Sequence, residues 1–156
     1  MGLHQSKDAK HFFRHLTKGN KYGKLNDRGE QYYICLMVGL LNKKISPEIE
    51  SKQKEEIMVR GWSEGLRTHK YQILASVIAT EVRRTSIPTD SDRYRKLMLK
   101  YLSGDEGLFN LTPQGVDLFD RYSEGGFRII QEHISDPKEL DMFLIELYNN
   151  FLEPDE

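Results

Sequence analysis

A chain of 156 residues, 38% hydrophobic and 30% charged, has the size and composition of one folded domain and not of a disordered or fibrous protein. Its single cysteine, Cys35, excludes an intramolecular disulfide and a cysteine-rich zinc site, and it sits in an apolar run where core packing is its expected role. No stretch approaches the roughly 20 apolar residues needed to cross a bilayer, and the polar start MGLHQSKDAK lacks the apolar centre of a signal peptide, so a cytoplasmic location without a membrane partner is expected.

The net charge of −1 hides an asymmetry. Residues 1–24 hold six Lys or Arg against Asp8, whereas residues 103–156 hold three against thirteen Asp or Glu. A basic amino-terminal segment suits phosphate, an acidic tail suits a basic partner, and the two ends can also neutralise each other inside the fold.

In chain order, Asp8 to Lys18 reads as a short helix with Phe12, Phe13 and Leu16 on one side and Gly19 as its stop. Asp27 and Glu30 make a capping-box signature before YYICLMVGLL. There Tyr33, Leu36, Met37, Leu40 and Leu41 recur at helical spacing, and Ile34, Cys35 and Val38 fill much of the rest, which predicts a central, nearly buried helix ended by Asn42-Lys43-Lys44. Ser46-Pro47 reads as an N-cap and first helical residue. Glu48 to Leu66 is less regular, because Gly61 and Gly65 interrupt Ile57, Met58, Trp62 and Leu66. A helix follows from about His69 to Arg84, with Tyr71, Leu74, Val77, Ile78 and Val82 inward. Asp90 or Ser91 caps the next, where Tyr94, Leu97, Met98, Tyr101 and Leu102 share a face. Thr112-Pro113 opens another helix, and Asp136-Pro137 with Glu139 opens the last, which carries Leu140, Phe143, Leu144, Leu147, Tyr148 and Phe151. No strongly alternating strand pattern competes, so the fold class expected is all-α: one domain over residues 1–156, a compact bundle of about six helices.

Within DRYSEGGFRII, the pair Gly125-Gly126 admits three readings: a phosphate loop, a kink, or a small-residue notch in one helix. A phosphate loop needs a preceding strand and free amides at a helix start. Here Val116, Phe119, Tyr122, Phe127, Ile130 and Ile134 keep register across the glycines, which favours the notch, with a kink second. Since two helical glycines cost roughly 1 kcal/mol each against alanine, another backbone is expected to approach them, from this chain or from a partner. Tyr122, Gly125, Gly126 and Phe127 are therefore the candidate interaction residues.

His11 and His15, four apart, lack the glutamate of HExxH, and no metal or other cofactor is expected. Lys10, Arg14, Lys18, Arg83, Arg84, Arg93, Arg95 and Lys96 are the candidate nucleic-acid-binding residues, as donors to phosphate. Arg128 and His133 are candidate catalytic residues, because RIIQEH resembles the R-x4-H spacing of HEPN-type ribonucleases, which are small helical dimers. Ile129 departs from the polar residue often found after that arginine. The resemblance implies that Arg128 would stabilise a phosphate transition state and His133 would transfer protons.

DRGEQYYICLMVGLLNKK and the later DRYSEGGFRIIQEHI, taken together, resemble small accessory proteins encoded beside bacterial DNA-phosphorothioation (Dnd-type) modification and restriction genes. Ser123 and Glu124 stand where alanine and asparagine are usual. The resemblance spans about Tyr22 to Phe151. It implies a non-enzymatic adaptor or regulator in anti-phage defence, whose partners are larger protein components of the complex and DNA, and it supplies no catalytic residue. A homo-oligomer is compatible with it. A DNA-binding module and a HEPN-like ribonuclease are the alternatives.

Overall fold

Helix dominates, as the spacing predicts, but it does not stand alone. The computed structural model of the chain describes residues 2–21, 23–58, 61–88, 92–103 and 109–154. Among them eight α-helices accompany a two-stranded antiparallel sheet, which corrects the all-α expectation to a mostly helical fold. Strand β1 (Leu3–Ser6) pairs with β2 (Lys54–Met58), Leu3 opposite Met58 and Ser6 opposite Lys54. Neither segment has a strand-like pattern, since LHQS is short and KEEIM is mostly charged. Their pairing is tertiary: the Gly2 amide donates to the Glu56 carboxylate at 2.6 Å across 54 positions of sequence.

The helix expected over Asp8 to Lys18 is broken at Phe13 into α1 (Lys7–Phe12) and α2 (Arg14–Lys18). The Ser6 hydroxyl caps α1 by accepting from the Ala9 amide, and Gly19 ends α2 at φ 73°. Helix α3 (Arg28–Leu41) starts where the capping signature places it, with Asp27 accepting from the Glu30 amide at 3.0 Å. The Glu30 carboxylate reaches back one residue further than a capping box requires, to the Asn26 amide at 2.8 Å. Its buried face differs from the expected one: Tyr32, Cys35, Leu36, Val38 and Leu40 are buried, whereas Leu41 is 54% exposed. The helix is packed on two sides, with Tyr32, Leu36 and Leu40 in one core cluster and Cys35 and Val38 in another.

Ser46-Pro47 starts no helix. The Ser46 amide donates to the Arg121 carbonyl at 3.0 Å and its own carbonyl accepts from Arg121 Nε at 2.8 Å, which uses the segment as an extended strap. A short α4 (Glu64–Arg67) precedes α5 (Lys70–Thr85), whose inner side includes Ile73 in place of Tyr71, the latter 67% exposed. Helix α6 (Asp92–Tyr101) follows; its expected caps, Asp90 and Ser91, lie outside the described residues. Thr112 caps α7 (Pro113–His133) as expected, accepting from the Gly115 amide at 3.1 Å. Asp136 does not cap the last helix, because it stands at φ 33° and its carboxylate pairs with Arg14 at 3.0 Å. Helix α8 (Leu140–Leu147) begins later and runs into a π-helical turn over Tyr148–Leu152.

Helix α7 is the axis of the fold, about 30 Å long at 1.5 Å per residue. Its first half carries Val116, Phe119 and Tyr122 into a cluster with Tyr32, Trp62 and Val77. Its second half carries Phe127, Ile130 and Ile134 into a cluster with Phe13, Leu16 and Phe143. Phe13 meets Phe143 edge to face, ring centroids 5.7 Å apart, so α1–α2 and α8 close the same end of α7 while α5 closes the other. Among the described residues no helix is long and apolar enough to cross a membrane.

Candidate interaction surfaces

Gly125-Gly126 lies inside α7, in unbroken helix. The backbone expected to approach it belongs to the same chain. A Cβ on Gly125 would overlap the Lys44 carbonyl oxygen, and one on Gly39 of α3 would overlap the Tyr122 carbonyl oxygen. Tyr122 and Phe127 are fully buried. The candidate interaction residues Tyr122, Gly125, Gly126 and Phe127 thus form an internal seam, a correction to their reading as a surface that meets a partner.

Beside the seam α7 carries polar groups that periodicity alone passes over. Asp120 is 2% exposed, yet it accepts from the His4 amide at 2.9 Å, from Tyr32 Oη at 3.0 Å, and faces His4 Nδ1 at 2.9 Å. Burial pushes its carboxyl above the ordinary range, against the bonds from His4 and Tyr32, which favour the ionised form. Glu81 of α5 is similarly enclosed. Tyr122 Oη donates to it at 2.6 Å, and Arg84 grips it through Nη2 at 2.6 Å and Nε at 3.0 Å. Burial opposes ionisation there, but the bonds from Arg84 and Tyr122 outweigh it and hold the carboxyl below its ordinary value. Glu124, 4% exposed, has Arg128 Nη2 at 3.0 Å as its one ion-pair partner among the described residues, and burial pushes it up against the influence of Ser6 and Arg128. Asp120 and Glu124 stand one turn apart on the buried side of α7, so the signal available in the sequence was two acids phased with Val116, Phe119 and Phe127.

Arg128 and His133 are placed on different sides of α7, five residues and about 140° apart around the axis. Arg128 is spent on Glu124 and, at 3.5 Å, on Asp8. His133 bonds through Nδ1 to the Ile129 carbonyl at 2.9 Å and packs edge-on against Phe151. The structure does not bring the two to a common point. Among the described residues no group of three His, Cys, Asp or Glu gathers to hold a metal ion, and His11 and His15 stand without one. Cys35 is a fully buried free thiol whose burial pushes its pKa up.

The basic residues divide into two sets. In the amino-terminal set, Lys10 pairs with Glu55 at 2.9 Å and Arg14 with Asp136, leaving Lys18 exposed at the end of α2. The Arg14–Asp136 pair joins the two chain ends as the charge asymmetry allows, whereas Lys10 is neutralised by the mid-chain Glu55. In the second set, Arg84 is held by Glu81, while Arg83, Arg93, Arg95 and Lys96 are exposed and have no ion pair among the described residues.

Among the described residues two apolar surfaces are left open. Tyr71, Leu74 and Ile78 of α5 face Tyr94, Met98 and Leu102 on and after α6 across a groove of about 590 Å³. At the other end of α7, the outer side of α8 and its π turn exposes Met142, Leu144, Ile145, Tyr148 and Leu152, each 44% to 53% accessible. The opposite side of the same helix buries Phe143 and Leu147. A helix apolar on both sides is ordinarily enclosed on both sides.

No protein-family model matches the chain, and neither a curated protein nor a solved structure shows significant similarity to it.

Proposed function

We propose that this protein is a non-enzymatic adaptor that works through protein contacts. The observation that carries the reading is the outer side of α8, where Met142, Leu144, Ile145, Tyr148 and Leu152 stay about half exposed with none of the other described residues closing over them. The buried groups capable of acid or base chemistry support it too, since Asp120 joins α7 to β1 through His4, Glu81 joins α5 to α7 through Tyr122, and Glu124 is paired with Arg128 one turn along α7. The biological setting, a bacterial DNA-modification or anti-phage defence complex, rests on the resemblance of the α3 and α7 segments to the Dnd-associated accessory proteins. Co-purification from size-exclusion columns tests it: the wild type is expected to elute with the large modification or restriction components of such a system. Separate elution of the wild type from every component removes the reading.

DNA binding is the second reading, favoured by the exposed Arg83, Arg93, Arg95 and Lys96 at one end of the molecule. Phosphate contacts by these four make affinity fall steeply with salt.

A further inference from the structure

The two apolar surfaces match in length and are opposite in charge. The ridge on α8 and its π turn extends from Met142 to Leu152, about 15 Å at 1.5 Å per residue, and the groove walls from Tyr71 to Ala79 and from Tyr94 to Leu102 each extend about 12 Å. The ridge segment is acidic: Glu139, Asp141, Glu146 and Glu153 occur between positions 139 and 153, with no Lys or Arg among them. The groove has one cation on each lip, Arg95 following Tyr94 on α6 and Arg83 following Ala79 on α5, whereas Arg93, Lys96 and Lys100 lie on the far side of α6. Arg95 and the 67% exposed Leu99 follow Tyr94 and Met98 around α6, which puts a cation and an apolar side chain on the outer lip of the groove. Ridge and groove also sit at opposite ends of α7, so one molecule cannot fill its own groove.

We infer that the α5–α6 groove of one molecule receives the α8 ridge of a second copy, head to tail. Such an interface is heterologous: it uses different surfaces on the two molecules, and it leaves one ridge and one groove free to add further copies. The protein is then a scaffold that multiplies whatever an adaptor subunit carries. This deepens the adaptor reading and rests on it only in taking the open apolar surfaces as places for protein contact.

The test is sedimentation velocity on the full chain over a range of concentrations at low salt. Wild type is expected to show mass rising with concentration past the dimer, and less so as salt screens the charged rim. Ile145→Asp removes the ridge and Ala75→Glu places a carboxylate in the groove; both positions are exposed, so the fold is kept, as circular dichroism checks. Each variant alone is expected to stay monomeric, with association weakened roughly tenfold or more. Mixed together they are expected to form a one-to-one heterodimer, because the intact ridge of Ala75→Glu meets the intact groove of Ile145→Asp. A wild type that stays monomeric at its highest soluble concentration overturns the proposal. So does association that survives either variant, or a mixture that fails to form the heterodimer. Monomeric behaviour with intact co-elution of a defence component would sink the scaffold alone, whereas loss of that co-elution bears on the adaptor reading.

Discussion

Gly126 of α7 faces Gly39 of α3 so closely that a Cβ on Gly126 would come 2.6 Å from the Gly39 nitrogen and would overlap the Cys35 carbonyl oxygen. The obstacles are backbone atoms of a buried helix, which cannot swing aside as a flexible side chain does. Gly126→Ala is therefore expected to destabilise the protein by about 3 kcal/mol or more, read from urea unfolding. Gly65→Ala is the control. Its Cβ would meet nothing within 4 Å, so that change is expected to be neutral or stabilising by up to about 1 kcal/mol. Equal effects from the two would dissolve the idea of a glycine seam.

Asp120 binds the first strand to the long helix and the central helix to both. Asp120→Ala leaves the Tyr32 hydroxyl and the His4 amide without their acceptor, at an expected cost of about 3 kcal/mol. Tyr32→Phe removes one partner and keeps the other, so about 1 kcal/mol is expected. The two changes together should cost less than their sum in a double-mutant cycle; strict additivity would mean that Tyr32 and Asp120 do not share a bond in solution.

Glu124 and Arg128 supply a prediction with a pH sign. The folded state raises the Glu124 carboxyl above its ordinary 4.5, so the native protein favours the protonated acid more than the unfolded chain does. Stability from this group then declines as pH rises through the folded value and is recovered as pH falls back through it. Arg128→Ala removes this ion-pair partner and should deepen that decline, by about 1 to 3 kcal/mol at neutral pH. As pH falls from neutral toward the ordinary carboxylate range the variant should regain part of the difference from wild type. Adding Glu124→Gln should restore stability and flatten the pH dependence. Thermal melts of the three proteins across that range decide it, and an Arg128→Ala deficit independent of pH would assign the effect to something other than Glu124.

Should the protein bind DNA, the two basic sets predict different salt behaviour. Replacing Arg93, Arg95 and Lys96 by alanine is expected to lower the slope of log affinity against log salt by up to about 3, one for each phosphate that is no longer neutralised. Replacing Lys10 and Arg14, which are neutralised by Glu55 and Asp136, should change the slope little. Gel shifts over a salt series report both, and an absence of binding by the wild type at low salt would remove this reading altogether.

Local chemistry was enough to place most of the helices. Thr112-Pro113, Asp27 and Gly19 act on amides and carbonyls within a few positions of themselves, and the phase shared by Phe119, Tyr122, Phe127 and Ile130 marks α7 as one helix through its glycines. Asp136 misled for the same reason: its side chain looked free to cap, and Arg14, far away in sequence, took it. The strands, the strap at Ser46 and the pairing of His4 with Asp120 join segments remote in the chain, and no local pattern records such a bond.

The sequence by itself determined that Gly125-Gly126 is helical, because apolar spacing is a property of neighbours along one helix. Only the tertiary structure decided that α3 of the same chain fills the notch, because what a glycine admits depends on which backbone arrives there. The same division holds for the surfaces. Periodicity marked α8 as apolar, yet burying one side of it on Phe13 and leaving Ile145 outside follows from where α1, α2 and α7 end in space.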